Sequence, residues 1–217
     1  MNIRHHFDDA TLMAYAAGSL SQGMALLVAC HLHWCPDCCE RVRQAEAIGG
    51  VLLDKIAPMP VDDSALNQLM ARLDDDMASE VSSLVTPAQL PDGVPAPLHH
   101  YINSSLDDLP WKRLGYGVHH IDLHLGGKGT TRLLKIAPGV SVPHHTHSGN
   151  ELTLILRGSY SDEIGRFSAG DVADLDGDVH HQPLVDTDQD CICLIATDAP
   201  LKFSGLMGRL VQPFIGM

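Results

Sequence analysis

The sequence predicts an α+β multi-domain chain, with a small N-terminal helical bundle followed by a C-terminal all-β barrel. Three observations carry that expectation. Apolar residues recur at helical spacing through the first 85 residues. A stretch with four prolines, TPAQLPDGVPAPL at 86–98, follows with almost no periodic pattern, which suits a semi-rigid linker. From about residue 100 the chain breaks into short alternating or apolar runs split by Gly, Asp and Pro, the pattern of many short strands in a barrel or sandwich. The expected organisation is therefore 1–85 helical, 86–98 linker and 99–217 β domain.

The helices can be placed in order. Asp8 or Asp9 can cap a first helix carrying Leu12, Met13, Tyr15, Ala16 and Leu20. Ser21 can cap a second, running through MALLVACHLH. Pro36 suits the first turn of a third, where its missing N–H costs nothing, and that helix continues through CCERVRQAEAIGGVLLDKI. Asp63 or Ser64 starts a fourth, with Leu66, Leu69, Met70 and Leu73 at helical spacing. GVHHIDLHL, TTRLLKIAPG, ELTLILRGSYSDE, GRFSAGDVADL and DCICLIAT read as strands, and the tail LKFSGLMGRLVQPFIGM is ambiguous.

Charge and composition exclude some functions. The 217 residues carry a net charge of −13. Residues 1–85 hold 5 Lys+Arg against 12 Asp+Glu, and residues 86–217 hold 9 against 15, so both parts are acidic. Both would repel a phosphate backbone, which argues against direct nucleic-acid binding. A basic protein partner would complement them. No apolar run reaches 18 residues, so no membrane span is expected. MNIRHHFDDA lacks the apolar core of a signal peptide, and a cytoplasmic protein is expected.

Two clusters carry chemistry. In CHLHWCPDCC, residues 30–39, His31 and Cys35 are one helical turn apart and share a face. Cys35 and Cys38 have the spacing at which a helix-starting turn brings two thiolates to one ion. A fourth donor must come from elsewhere. His6, just before the first helix, can reach the site through an antiparallel hairpin, with His5 the neighbouring alternative. Structural Zn2+ is the favoured metal. Cys30 and Cys39 read as small buried groups, and His33 as a surface side chain. No βαβ pattern surrounds the CxxC, which disfavours a thioredoxin-like redox pair.

The second cluster follows the pattern G-x5-H-x-H-x3-E-x6-G from Gly139 to Gly158. On a strand, residues 145 and 147 point to one face, and Glu151 can reach the same ion after the Ser-Gly-Asn turn. His180 or His181 on a returning strand would complete the set. Three imidazoles and a carboxylate suit Zn, Fe, Mn or Ni. Cys191 and Cys193 share one face of a strand, as core residues or, near that metal, as thiols open to oxidation.

These motifs carry a family resemblance. His6 with His31-x3-Cys35-x2-Cys38 resembles the zinc-binding anti-sigma domain, which implies those four residues as zinc ligands. The motif from Gly139 to Gly158 matches the first cupin motif. In the second, Gly170 is present, Asp176 and Gly177 stand where the family has Pro-x-Gly, and the stretch is one residue short. The whole chain resembles the ChrR type of anti-sigma factor, a zinc anti-sigma domain fused to a cupin. That resemblance implies His145, His147, Glu151 and His181 as cupin ligands. It implies an extracytoplasmic-function sigma factor held in a 1:1 complex, gripped by the fourth helix and the bundle before it. Release would follow singlet oxygen or organic peroxide sensed through the cupin. The alternative from the residues alone is a metal-dependent cupin enzyme, a dioxygenase or isomerase with an accessory zinc domain. The acidic zinc domain favours the regulator over the enzyme.

Overall fold

The computed structural model describes residues 2–74, 93–126, 129–142, 145–147, 149–175, 181–198 and 201–203. Four helices come first: α1 (Asp9–Ala16), α2 (Gln22–Leu32), α3 (Pro36–Asp54) and α4 (Ala65–Asp74). Asp8 caps α1 by accepting from the Thr11 amide at 2.6 Å, and Ser21 caps α2 through the Met24 amide. Cys35 is the N-cap of α3, and Pro36 stands in its first turn. The expected continuation of α4 into Asp75–Met77 falls outside the described residues.

Of the Pro-rich stretch, residues 86–92 lie outside the described residues. Beyond them, Ala96–His100 forms a 3-10 helix that packs on α2 and buries Leu98.

The strands are β1 (Lys112–Gly115), β2 (Val118–Asp122), β3 (Thr130–Ile136), β4 (His145–His147), β5 (Glu151–Arg157), β6 (Ser159–Ser161), β7 (Arg166–Ser168), β8 (Val172–Leu175), β9 (Cys191–Thr197) and β10 (Leu201–Phe203). A six-stranded antiparallel sheet runs in the order β1-β2-β3-β9-β5-β8. Two smaller pairs, β10-β4 and β6-β7, complete the β part. Residues 204–217 of the tail lie outside the described residues.

The packing explains why ELTLILR and CICLIAT are nearly continuous apolar runs. A sheet covered on both faces needs no polar alternation. Helix α2 lies across β3, β9 and β5. Leu133, Leu152, Leu154, Ile192 and Leu194 share one core with Leu27, Val28 and Leu12 of the helices. The alternate residues Leu134, Ile155, Cys191 and Cys193 turn into a second core with Tyr160 and Phe167. Each fully buried Leu or Val side chain contributes about 1.5–3 kcal/mol. Gly23, in the first turn of α2, permits the close approach, because a Cβ there would stand 1.9 Å from the Thr131 hydroxyl.

Candidate metal centres

The N-terminal cluster assembles from three segments. His6 precedes α1, His31 lies in the last turn of α2, and Cys35 and Cys38 open α3. Their donor atoms all lie within 4.8 Å of one another. His31 Nε2 is 3.3 Å from Cys38 Sγ, and His6 Nδ1 is 3.3 Å from Cys35 Sγ and 3.6 Å from Cys38 Sγ. Zn–S bonds of about 2.3 Å and Zn–N bonds of about 2.0 Å at a tetrahedral angle separate sulfur from nitrogen by roughly 3.5 Å. The four residues fit one tetrahedral ion.

The ring roles follow from the second nitrogen of each imidazole. His31 Nδ1 donates to the Gly170 carbonyl at 3.0 Å, which leaves Nε2 as the metal donor. His6 presents Nδ1 to the sulfurs. Burial brings His31 down to about 4, so the ring is neutral and able to ligate at pH 7. Burial, with the neighbouring Cys35, pushes the Cys38 thiol up to about 11. A divalent ion reverses that order, because its charge makes the thiolate the stable form. The Cys38 amide also donates to Cys35 Sγ at 3.4 Å, and the start of α3 adds a positive dipole end. Arg41 ties the approach to His6 by donating to the Phe7 carbonyl at 2.9 Å and to Asp9.

In the β domain, Glu151 and His181 line one cavity of about 60 Å³, with Arg132, Thr153, Tyr160 and Cys193 among its walls. Both ligand candidates are buried. Burial raises the Glu151 carboxyl to about 7, and the nearby His181 works against that rise. His181 Nδ1 lies 3.0 Å from Asp162 Oδ2, which directs Nε2 away from that carboxylate. The backbones of His145 and His147 form β4, paired with Phe203 and Leu201 of β10. The side chains of residues 145–147, and all of His144 and His180, lie outside what the structure describes.

Cys193 faces the same cavity as Glu151, while Cys191 lies in the adjoining core. Burial pushes the Cys191 thiol up to about 12 and the Cys193 thiol well above its ordinary value. Cys30, in α2, is buried, and Cys39 is half-buried.

Comparison with known proteins agrees with this architecture. The family model described as the ChrR cupin-like domain matches residues 100–200. The anti-sigma-E factor ChrR of Cereibacter sphaeroides is 44% identical over 215 residues, 99% of each chain. The chain belongs to the ChrR family of anti-sigma factors. A crystal structure of Rhodobacter sphaeroides SigE in complex with the anti-sigma ChrR aligns with a TM-score of 0.79 at 42% identity, covering 91% of this chain and 100% of that one. The ChrR-family pairing of a helical His/Cys site with a cupin-like sheet is the architecture expected from the sequence.

Three roles in these centres escaped the sequence reading, and Gly170 reads there only as a residue of the second cupin motif. Asp162 orients His181, and Gly170 and Asp171 reach from the β domain to the N-terminal cluster. A turn signal around Asp162 is visible in YSDEIG, but its partner is 19 residues away. Nothing local links Gly170 to His31, 139 residues earlier.

Proposed function

We propose that this chain is a cytoplasmic zinc-dependent anti-sigma factor that holds an extracytoplasmic-function sigma factor inactive in a 1:1 complex. One observation carries the reading beyond family membership. The second half of α3, the segment after it and α4 expose a row of large apolar side chains, including Ile48, Leu52, Leu53, Ile56, Leu69 and Met70. Helix α3 buries Cys38 and Val42 near its start and then leaves the core. An apolar surface of this extent marks a protein interface. Zn2+ on His6, His31, Cys35 and Cys38 fixes the start of α3 and hence the direction in which this surface projects. By this account residues 1–85 form the binding domain and 99–217 the sensing cupin, with 86–98 between them.

The cupin metal would be held by His145, His147, Glu151 and His181, as Zn2+ or another divalent ion. Release would follow singlet oxygen or organic peroxide acting at that domain. Cys193, on the cavity wall, is the thiol placed to meet a small oxidant, with Cys191 behind it. Burial holds Cys193 as the thiol, so a peroxide would act only once its proton is lost; the thiolate would then become a sulfenic acid while the O–O bond breaks and leaves water or an alcohol. The acidic surface and family membership favour the regulator over a cupin dioxygenase or isomerase.

Co-expression with the sigma factor encoded beside the gene tests the reading. A stable 1:1 complex is expected from the unaltered chain. Leu69→Asp should weaken it by at least about 2 kcal/mol, the scale of an interface hot spot, with little change in the unfolding midpoint because Leu69 is exposed. Absence of any complex in a folded, zinc-loaded chain would contradict the proposal.

A further inference from the structure

We infer that the cupin domain is part of the N-terminal metal site, with Asp171 the residue that positions His6 and the Gly170 carbonyl beside it positioning His31. The inference rests on the zinc reading above. Asp171 is buried, and its carboxylate is shared between the two parts of the chain. Oδ1 accepts from the Arg4 amide at 2.6 Å and the His5 amide at 3.0 Å. Oδ2 accepts from the Ser168 amide at 2.8 Å. The Val172 amide returns a bond to the His5 carbonyl at 3.3 Å, and the Asp8 amide donates to Asp174 at 3.3 Å. Residues 4–8, which carry His6, are thus fastened along β8 on both sides of the ligand.

The second ligand is held from the same turn. Gly170 has a φ of +93°, a conformation open to glycine, and its carbonyl accepts from His31 Nδ1. Its amide donates to the Ile155 carbonyl at 2.9 Å, so β5 anchors the turn. His5 reinforces the contact through a hydrogen bond between its Nε2 and the Arg166 carbonyl at 3.1 Å, with its ring 4.3 Å from that of Phe167. Four donors drawn from three segments must meet at one point. A clamp that pre-sets two of them lowers the ordering cost of binding the ion. Outer partners of metal ligands typically govern 10–100-fold in affinity. Asp171 and Gly170 therefore make zinc retention in the helical domain depend on the local structure of the cupin.

The test uses the full-length chain loaded with Co2+ in place of zinc. A thiolate-to-cobalt charge-transfer band reports the His/Cys site separately from a His/Glu site. Asp171→Ala is expected to bind Co2+ about 10–100-fold more weakly in chelator competition and to shift the d–d bands. Arg4→Pro, which removes one donor to Asp171 and leaves every cupin side chain in place, should move both readouts the same way. Unchanged affinity and bands in a folded Asp171→Ala protein would overturn the inference, and should that variant fail to fold, unchanged values in Arg4→Pro would do so. Cys38→Ser separates the two levels. A charge-transfer band of full strength in Cys38→Ser would sink the ligand assignment itself. Its loss there, beside unchanged Asp171→Ala and Arg4→Pro, would sink only the positioning role.

Discussion

At the residue scale, short spacing and long-range geometry divide what could be read from the sequence. Cys35 and Cys38 sit in one helical start, so their convergence was legible from two intervening residues. His31 shares the turn before, and its ring reaches the same point. The orienting groups were not legible, because Gly170 and Asp162 gain their partners only through tertiary folding. Asp186 is another such residue. It accepts from Ser159, Ser161 and Arg166 across the β6-β7 pair. Burial pushes its carboxyl up, but Arg166 and the two hydroxyls outweigh that and bring it down to about 2. A carboxyl lowered on folding stabilises above its ordinary value of 3.8 and loses that contribution as pH falls towards 2. Asp186 and Arg166 are exposed and water screens the pair, so Asp186→Asn should cost about 1 kcal/mol at pH 7. Urea unfolding should show the gap between variant and parent narrowing below about pH 4. A gap independent of pH would exclude the charged form as its source.

At the scale of elements, the four helices and most strands followed from caps and periodicity. Asp8, Ser21 and Pro36 mark the helix starts that the sequence suggested. Strand β1 and the 3-10 helix at Ala96–His100 were missed. Each is short, and each is held by a neighbouring element rather than by its own pattern. The apolar runs of β5 and β9 told of double burial without telling what covers them, and the cover is α2. That docking depends on Gly23 against Thr131. Gly23→Ala forces the helix and strand apart, and overpacking of this kind costs about 1–3 kcal/mol. The expected result is a lower thermal midpoint with the cupin sheet retained by circular dichroism. A midpoint equal to the parent's would mean that α2 can slide on the sheet without penalty.

At the scale of the whole molecule, the helical part and the cupin sheet share a core, and Gly170 and Asp171 hold His31 and the residues beside His6. Leu27 and Val28 pack with Leu154 and Leu194, while residues 4–8 lie along β8. Away from these contacts, α3 and α4 expose large apolar side chains such as Leu52, Leu53, Leu69 and Met70. No helix among the described residues is long and apolar enough to cross a membrane. The His/Cys cluster opens α3, whose second half carries part of the exposed apolar residues. In a domain this small, metal binding free energy is folding free energy, so loss of the ion should unmake the projecting face. The most direct measurement is size-exclusion chromatography of the full-length chain with its sigma factor, for the unaltered protein and for Cys38→Ser, with metal content read across the peak. The unaltered protein is expected to elute as a 1:1 complex carrying zinc, and Cys38→Ser to form no complex. A Cys38→Ser protein that lacks the N-terminal zinc yet holds the sigma factor as tightly as the parent would contradict this expectation.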